Sequence, residues 1–329
     1  MKLSKTTSRV TLGTVFVAAY VVVATSSWTV EPAPAEPIAH EAGEMESTSQ
    51  RLKGGLIECA SPNPELAHEL ARDIARSLAN RASRASMVLY DRTTDTSCAY
   101  GADKHYDSAS IVKPIILGAL LLARSDHLSE DEQELAREMI VSSDNDATYT
   151  LWDSVGTENI QEFLDKAGME DTILDEAGLM GLTQVTARDQ ATLLELLTGE
   201  DNSVLNAEER AYILGLMRNV QEDQRWGAPA GAPSGAAVQV KNGWLQRSER
   251  VKDPWDSGDW KVNSMGAFTG RAYDYGLVVL TENNRVPEGE SPGVGWDYGM
   301  ETIERVAKAV HRDLYPDRTP AAAGSPGRR

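Results

Sequence analysis

Apolar residues first recur with a regular period between positions 66 and 78. Four of them stand four residues apart, namely Leu66, Leu70, Ile74 and Leu78. Residues at this spacing lie on one face of a helix, so the pattern predicts an amphipathic helix. Asn63 and Pro64 precede this stripe and are typical of a helix N-cap and of the first helical turn.

Further helices are predicted in the middle and at the end of the chain. The segment 111–123 is strongly apolar. Ser129 with Glu132, and Thr186 with Asp189, have the spacing of N-terminal capping residues before apolar positions. A last helix is indicated by apolar residues at helical spacing, Ile303, Val306, Val310 and Leu314.

Short apolar runs on both sides of the central helices predict strands. The runs 87–90 and 97–100 are separated by a polar turn, which predicts a β-hairpin. Three more runs, 237–241, 262–268 and 275–281, follow the central helices. Strands at both ends with helices between them indicate one sheet built from both ends of the folded region, with a helical subdomain inserted.

The first residues have the pattern of an export signal. Lys2, Lys5 and Arg9 precede an apolar stretch over 10–24, and small residues follow it. We interpret 1–27 as a signal peptide or an uncleaved signal anchor. The protein is therefore expected to be secreted or held at the cell surface, with membrane contact only through this segment if it is uncleaved.

The segments beside the periodic region have biased compositions. Residues 28–62 are interpreted as a flexible acidic linker, because Pro, Ala and Glu dominate their first part without apolar periodicity. Residues 316–329 are mostly Pro, Ala, Gly and Arg, which predicts a disordered tail. The folded domain is accordingly placed at 63–315, and we expect it to be a monomer.

Composition and charge restrict the classes of function. Against 32 Lys and Arg stand 50 Asp and Glu, a formal net charge of −18 that repels phosphates and argues against nucleic acid as a partner. The two cysteines exclude a zinc site of four cysteines, and the five histidines show no metal-binding spacing, so we expect neither a metal nor a cofactor. Export would permit a disulfide between Cys59 and Cys98, which their spacing does not settle.

Ser110 and Lys113 form a Ser-x-x-Lys motif at the start of the apolar helix. Residues three apart share a helix face, so the amine of Lys113 can reach the hydroxyl of Ser110. A lysine desolvated by apolar neighbours can be neutral and can take the proton of a nucleophilic serine. Taken alone, the same pair also fits a helix N-cap beside a surface lysine.

Two further motifs follow in a fixed order. Ser143-Asp144-Asn145 offers a hydroxyl and an amide two residues apart, and Lys241-Asn242-Gly243 ends a strand-like run. In the last motif the lysine adds positive potential, and the glycine lets a substrate backbone approach closely. Each motif alone is typical of a turn. Their order, with the first opening a helix and the last ending a strand, indicates a catalytic serine site.

Together these motifs resemble those of the class A β-lactamase and penicillin-binding superfamily of active-site serine enzymes. The resemblance covers residues 63–315. It implies an α/β (α+β) fold, a three-layer sandwich in which helices flank an antiparallel sheet and a helical subdomain is inserted. The stretch between the serine motif and Ser143 is shorter than in typical class A enzymes, so we expect this subdomain to be shortened. The resemblance also implies that Ser110 is the acylated nucleophile, that Lys113 is its base, and that Ser143 relays a proton to the leaving nitrogen.

The same resemblance implies how a β-lactam or a peptidoglycan stem peptide would be held. Asn145 would bind the amide of the substrate side chain, and Lys241 would attract the substrate carboxylate. The backbone N–H groups of Ser110 and Trp244 would form the oxyanion hole. Asn242 stands where the family usually has Thr, so an amide would replace the hydroxyl that binds the carboxylate.

The glutamate that activates water for deacylation in class A enzymes is not evident. The corresponding loop, 174–185, contains only Asp175 and Glu176 as acids. Glu176 is therefore the candidate deacylation acid, although an exposed loop carboxylate is the favoured interpretation. Without such a base, the acyl-enzyme should persist or turn over slowly.

Three functions stay open at this point. The first is β-lactam hydrolysis, slowed by the missing glutamate. The second is that of a cell-wall D,D-peptidase or penicillin-binding protein, and the third is a degenerate domain that binds peptidoglycan or a protein. The intact Ser110, Lys113, Ser143 and Asn145 argue against the third, because a binding domain needs no nucleophile with its base. Serine-dependent amide hydrolases such as glutaminases share the superfamily.

Overall fold

The computed structural model describes residues 45–124, 127–200, 203–250, 252, 257–285, 291 and 293–317. The predicted signal peptide or anchor lies outside these residues, as do the first part of the predicted linker and positions 318–329 of the predicted tail. All described residues fall within the same compact unit. None of their helices is long and apolar enough to cross a membrane.

The described strands form one large sheet and one short ribbon. They are β1 (Glu46–Leu52), β2 (Gly55–Ser61), β3 (Arg84–Asp91), β4 (Thr96–Tyr100), β5 (Tyr106–Asp107), β6 (Gln184–Val185), β7 (Ala237–Gln246), β8 (Trp260–Gly270) and β9 (Tyr273–Glu282). The large sheet has seven strands in the order β1-β2-β4-β3-β9-β8-β7, and all neighbouring strands are antiparallel. The ribbon pairs β5 with β6.

The α-helices of the described residues stand mainly between β5 and β7. They are α1 (Pro64–Leu78), α2 (Lys113–Ala123), α3 (Glu130–Arg137), α4 (Asn145–Val155), α5 (Thr157–Ala167), α6 (Ala187–Thr198), α7 (Ala207–Arg218) and α8 (Gly293–Leu314). A 3₁₀ turn, Ala109–Val112, leads into α2, and a π-helical turn, Glu138–Ser142, follows α3.

Helices cover both faces of the large sheet. On one face, α1 and α8 contribute to a buried cluster in which Leu70 and Val279 take part. On the other face, α2 and α6 belong to a second cluster that contains Ile116 and Val278. Adjacent residues of β9 thus point to opposite clusters, as the two-residue period of a strand requires. Two helical layers around an antiparallel sheet confirm the expected three-layer fold.

The predicted helix starts are confirmed by their capping hydrogen bonds. The side chain of Asn63 accepts two backbone N–H groups in the first turn of α1. Ser129 and Glu132 form a reciprocal capping box at the start of α3. The hydroxyl of Thr186 accepts the N–H of Asp189 at 3.1 Å at the start of α6. These local signals act within one helical turn, which is why the sequence reveals them.

The prediction that residues 28–62 form a flexible linker is wrong for 46–61, which form β1 and β2. β1 is polar and largely exposed because it lies at the edge of the sheet and buries little apolar surface. β2 buries Ile57, Cys59 and Ser61 and exposes Glu58 between them. An edge strand of this kind is held by backbone pairing and leaves little apolar pattern in the sequence.

Cys59 and Cys98 form a disulfide between β2 and β4, which resolves the alternative that the sequence left open. The two residues face each other in the strand pairing, with Cα atoms 4.1 Å apart. The bond fastens β2, and through it the edge strand β1, to the rest of the sheet.

Reduction of this disulfide is expected to lower the free energy of unfolding by about 3–4 kcal/mol, because a cross-link between distant residues removes conformational entropy from the unfolded chain. The cross-linked residues are 39 positions apart. Urea unfolding of the oxidised and the reduced protein, followed by tryptophan fluorescence, measures the difference. Superimposable unfolding curves would contradict this prediction.

Candidate active site

Ser110 lies on a strained turn between β5 and α2. It is the second residue of the 3₁₀ turn, and its side chain is partly exposed. Ala109 has a φ of +47°, in the left-handed region that residues other than glycine rarely adopt. Such strain persists only where the surroundings hold it. Here the N–H of Ser108 donates to the carbonyl of Thr183 at 2.8 Å, and the hydroxyl of Ser108 donates to the carbonyl of Met180 at 3.1 Å.

The helix that follows this turn is buried along its first nine residues. α2 begins at Lys113, so Ser110 stands before the first helical turn, as expected from Pro114. Proline has no N–H, and at the second helical position this removes no helical hydrogen bond. The buried residues are Lys113, Pro114, Ile115, Ile116, Leu117, Gly118, Ala119, Leu120 and Leu121. The side chain of Lys113 is thereby withdrawn from water.

The amine of Lys113 lies among oxygen acceptors of the second motif. Nζ donates to the carbonyl oxygens of Ser143 at 2.6 Å and of Asp144 at 3.1 Å, and to Oδ1 of Asn145 at 3.0 Å. Its hydrogen bonds within the described residues do not include Oγ of Ser110. Burial lowers the pKa of Lys113 to about 7, against the opposing effect of the Asp144 carboxylate. An amine with this pKa is partly neutral near pH 7 and can accept a proton.

Ser143 makes the turn that presents the second motif. Its φ is +58° and its ψ is +33°, between the π-helical turn and α4. Asp144 then caps α4, since its carboxylate accepts the N–H of Ala147 at 2.7 Å. The side chain of Asn145 is exposed, and its Oδ1 is the atom bonded to Lys113. Its amide N–H groups donate to no other described residue, so they are available to a ligand.

Lys241 reaches the hydroxyl of Ser143 from β7. Its Nζ donates to Oγ of Ser143 at 2.8 Å and to the carbonyl oxygen of Asn242 at 3.0 Å, while Nζ of Lys113 lies 3.3 Å from the same hydroxyl. Lys241 is fully buried, and burial together with the charge of Lys113 lowers its pKa well below the ordinary value. Neither amine forms an ion pair with a described acidic residue. Two buried amines on one hydroxyl form a path along which a proton can pass.

Asn242 points away from this site. It is fully buried, and its Nδ2 donates to the carbonyl oxygens of Gln224 at 2.8 Å and Trp226 at 2.9 Å. The prediction that its amide binds the substrate is therefore wrong. Side chains alternate along a strand, so Lys241 and Gly243 face the site and Asn242 faces the opposite layer.

Gly243 lies against the 3₁₀ turn that carries Ser110. A Cβ atom at this position would lie 2.6 Å from the backbone nitrogen of Ser110 and 2.8 Å from that of Ile111. Real Cβ atoms do not approach a backbone nitrogen so closely. The glycine therefore makes room for the turn that carries Ser110, and its contact with a substrate backbone stays a prediction.

The N–H of Trp244 points out of the open edge of β7. The N–H of Arg247 donates to the carbonyl of Asp259 at 2.8 Å, so these facing residues form a hydrogen-bonded pair. Hydrogen-bonded and non-bonded pairs alternate along an antiparallel ladder. Gly243 and Asn263 therefore form a bonded pair, whereas Trp244 directs its N–H away from β8. β7 is an edge strand, so no other described strand accepts that N–H.

Two backbone donors therefore lie at this edge. The N–H of Ser110 donates to no described residue, and its nitrogen packs against Gly243, next to Trp244. The side chain of Trp244 packs away from the edge, with ring centroids 5.8 Å from Trp226 and 6.0 Å from Trp296. This arrangement fits the expected oxyanion hole, in which Trp244 acts only through its backbone.

The loop before α6 contacts the turn that carries Ser110 through carbonyl groups and a glycine, and none of the described hydrogen bonds between the two involves an acidic side chain of this loop. Gly181 lies against Ala109, because a Cβ atom added to Gly181 would stand 3.6 Å from the Cα of Ala109. The carboxylate of Asp175 folds the loop by accepting the N–H groups of Ala177 and Leu179, both at 3.0 Å. Glu176 is exposed and forms no hydrogen bond or ion pair with a described residue. Within the described residues, no three His, Cys, Asp or Glu side chains lie close enough together to hold a metal ion.

Sequence reasoning missed the residues that hold this turn against the sheet. Asn263 of β8 is fully buried, and its Nδ2 donates to the carbonyl oxygens of Asp107 at 2.8 Å and Ser108 at 3.2 Å. The carboxylate of Asp107 accepts from Arg247, directly after β7. The one signal available was Asn263 itself, because a polar residue within an apolar strand usually has a specific buried partner.

Comparison with protein families gives one match over more than half of the chain. The model of the β-lactamase enzyme family matches residues 125–314. This region includes Ser143 and Lys241 but begins after Ser110 and Lys113. None of the curated proteins matches the chain.

Solved structures share the fold at low sequence identity. A class A β-lactamase from Bacteroides cellulosilyticus DSM 14838 is 15% identical, with a TM-score of 0.61 over 78% of this chain and 100% of that chain. L2, solved in complex with relebactam, is 16% identical, with a TM-score of 0.59 over 77% and 100% of the two chains. A PBP-A mutant, solved as its acyl-enzyme complex with penicillin G, is 20% identical, with a TM-score of 0.57 over 76% and 97%. Likeness at these identities shows the fold alone.

Proposed function

This chain belongs to the β-lactamase enzyme family, and on that premise we propose that it is a serine hydrolase acylated at Ser110. The observation that carries the proposal is the convergence of Lys113 and Lys241 on one hydroxyl, that of Ser143. One of these amines follows Ser110 by three residues, and its pKa is lowered to about 7. A buried pair of lysines around a serine hydroxyl is costly to maintain and has a direct use in proton transfer.

The proposed reaction begins with transfer of the Ser110 hydroxyl proton to the neutral amine of Lys113. Oγ forms a bond to the carbonyl carbon of the substrate, and the resulting oxyanion accepts hydrogen bonds from the N–H groups of Ser110 and Trp244. As the carbon–nitrogen bond breaks, Ser143 gives its hydroxyl proton to the leaving nitrogen. The proton held by Lys113 then passes to Ser143, so the step ends with an ester at Ser110 and a protonated leaving nitrogen.

The proposed acyl donor is a β-lactam or a D-Ala-D-Ala-like stem peptide of peptidoglycan. The penicillin G acyl-enzyme of PBP-A and the relebactam complex of L2 support a β-lactam, because those proteins share this fold. The free amide N–H groups of Asn145 would bind the carbonyl of the substrate side chain. Since Asn242 faces away, Lys241 is the side chain of the third motif that remains to attract a substrate carboxylate.

Slow release of the acyl group favours a penicillin-binding protein or D,D-peptidase as the second candidate function. The loop before α6 contributes no carboxylate that is hydrogen-bonded to the described site residues. Asp175 is occupied in folding that loop, and Glu176 is exposed. Without a base that activates water, the ester at Ser110 would be long-lived.

Intact-mass measurement after exposure to penicillin G tests the proposal, with Ser110→Ala as the matched control. One penicilloyl adduct on the wild-type protein and none on the variant is the expected result. A persistent adduct favours the penicillin-binding function, whereas rapid hydrolysis without an adduct favours the lactamase. Neither adduct nor hydrolysis on the folded wild-type protein would overturn the proposal and favour the degenerate binding domain.

The acylation rate is expected to rise about tenfold per pH unit below pH 7 and to level off above it. Lys113 has a pKa of about 7, and only its neutral form can accept the Ser110 proton, so the active fraction grows with pH until the amine is deprotonated. Stopped-flow acylation with a chromogenic cephalosporin between pH 5 and 9 measures the profile. A rate that falls as the pH rises through 7 would contradict the role of Lys113 as the base.

We further propose that the protein works outside the cytoplasm, on the basis of its first 27 residues. Peptidoglycan and β-lactams both occur there, and the Cys59–Cys98 disulfide is compatible with an oxidising compartment. Fractionation of producing cells, with immunodetection of full-length and processed chains, would locate the protein and show whether the segment is cleaved. Recovery of the full-length chain in the cytoplasm alone would reject this localisation.

A further inference from the structure

A partly buried ion pair joins the two segments that carry the proposed oxyanion donors. Nε of Arg247 donates to Oδ2 of Asp107 at 2.6 Å, and Nη2 of Arg247 donates to Oδ1 at 2.6 Å. The amide of Gln184 donates to the same carboxylate at 2.6 Å. The side chain of Asp107 is only 3% exposed. A bidentate ion pair of this kind fixes both the distance and the relative orientation of its partners.

Each residue of this pair lies close in sequence to one of the two proposed oxyanion donors. Asp107 precedes Ser110 by three residues, and Arg247 follows Trp244 by three residues. The turn that carries Ser110 therefore runs in the direction opposite to that of β7. Gly243 contacts the nitrogen of Ser110 at one end of this stretch, and Arg247 binds Asp107 at the other end.

These two contacts together restrict the position of the Ser110 turn relative to β7 more than either contact alone. Three to four extended residues span about 10–13 Å, which is the scale of the separation between the two contacts along β7. Backbone hydrogen bonds from Asn263 and to Thr183 hold the turn near the sheet. The ion pair adds a contact through the Asp107 side chain that ties the turn directly to the segment after Trp244, and so restricts the direction of the Ser110 N–H relative to that of Trp244.

We propose that the Asp107–Arg247 pair is a positioning device that sets the separation and direction of the N–H groups of Ser110 and Trp244. The inference rests on the proposed function, because it assigns the pair to the oxyanion hole of that reaction. Neither residue is a catalytic residue, since neither side chain contacts Ser110, Lys113 or Ser143 through a described hydrogen bond.

The turn has further anchors that should keep it folded when the pair is broken. Asn263 binds the carbonyl oxygens of Asp107 and Ser108, and Thr183 accepts the N–H of Ser108. These bonds involve the backbone of the turn and do not depend on the Asp107 carboxylate. Loss of the ion pair is therefore expected to change the orientation of the turn and to leave the fold in place.

The expected effect falls on the rate of acylation and not on the binding of the ligand. Negative charge on the carbonyl oxygen develops as the transition state forms, so misplaced donors weaken the transition state much more than the noncovalent complex. Removal of one donor in another hydrolase costs about 10²–10³ in rate. Misalignment of the donors is expected to cost about 10- to 100-fold.

The test uses Asp107→Asn, Arg247→Lys and the double variant, with Asp103→Asn as the matched control. Asp103 also pairs through two contacts with an arginine, Arg188, but on the exposed surface. Acylation by penicillin G is resolved into a dissociation constant and a rate constant. We expect a 10- to 100-fold lower rate constant in each single variant, a dissociation constant within about threefold of wild type, and an unchanged control. The double variant should be no slower than the slower single variant, because the pair acts as one unit.

Asp107→Asn with the rate constant of the control would overturn the proposal, as would loss of thermal stability with an unchanged rate constant. Failure of the wild-type protein to react with penicillin G would overturn the proposed function and would leave the positioning role to be decided by a second measurement. In that case the backbone ¹⁵N–¹H resonances of Ser110 and Trp244 decide the matter. Their displacement in Asp107→Asn and not in Asp103→Asn supports the positioning role, and unchanged resonances reject it.

Discussion

Replacement of Gly243 by alanine is expected to slow acylation of Ser110 by about 100-fold or more and to destabilise the fold by about 1–3 kcal/mol. The new Cβ would lie 2.6 Å from the nitrogen of Ser110, 2.8 Å from that of Ile111 and 3.0 Å from the carbonyl oxygen of Ser108. All three are backbone atoms, so no side chain can move aside to relieve the clash. The turn itself must shift, and the two oxyanion donors would separate. Acylation kinetics with penicillin G and urea unfolding measure the two effects.

Gly215→Ala is the matched control for this substitution. Gly215 lies within α7, and a Cβ atom there would meet nothing within 4 Å. Alanine is favoured over glycine inside a helix, so this variant should be as stable as the wild type or slightly more stable. Wild-type acylation in Gly243→Ala would show that the turn tolerates displacement and that its close packing against β7 does not position the nucleophile.

Replacement of Lys113 by methionine is expected to lower the acylation rate by about 10²–10⁴, the usual contribution of a general base. Methionine has nearly the same length and fits the buried start of α2, but it cannot accept a proton. The pH dependence near 7 should disappear together with the rate. The rate constants of the variant and of the wild type, measured across pH 5–9 with the same chromogenic cephalosporin, test both statements.

Lys166→Met controls for the loss of a positive charge elsewhere in the protein. Lys166 lies on α5 and pairs with Glu162 at 2.8 Å, and both side chains are about half exposed. This variant should keep the wild-type rate and pH profile, since exposed ion pairs contribute little. If a folded Lys113→Met protein reacts as fast as Lys166→Met, then Lys113 is not the base. Lys241 would be the next group to test.

The elements predicted from the sequence are those whose signals are local. Caps at Asn63, Ser129 and Thr186 act within one turn, and the apolar runs of β3, β7, β8 and β9 are long enough to show the character of strands. β1 left no such trace, because an edge strand can be polar along its whole length. The fold class could thus be predicted, whereas the width of the sheet could not.

In the candidate site, too, the features with a local sequence signal could be predicted and those that depend on the folded structure could not. The motifs at Ser110, Ser143 and Lys241 could be found because each is short and because their order is informative. The direction of Asn242 was misjudged, since a motif read as a string of letters takes no account of the alternation of side chains along a strand. The Asp107–Arg247 pair joins residues 140 positions apart, and no periodic pattern can reveal such a contact.

The pairing of β3 with β9 at the centre of the sheet has a consequence for the order in which the candidate site is assembled. Residues 84–91 pair with residues 275–282, so the two halves of the sheet are joined by strands that lie far apart in the sequence. Contacts between such distant segments form late and slowly, because a long loop must close first. A growing chain that ends before β9 already contains Ser110, Ser143 and Lys241, but it lacks the strand that anchors β8 and β7 to the rest of the sheet. The surroundings of Ser110 would thus be completed only at the end of folding, when the last strands pair.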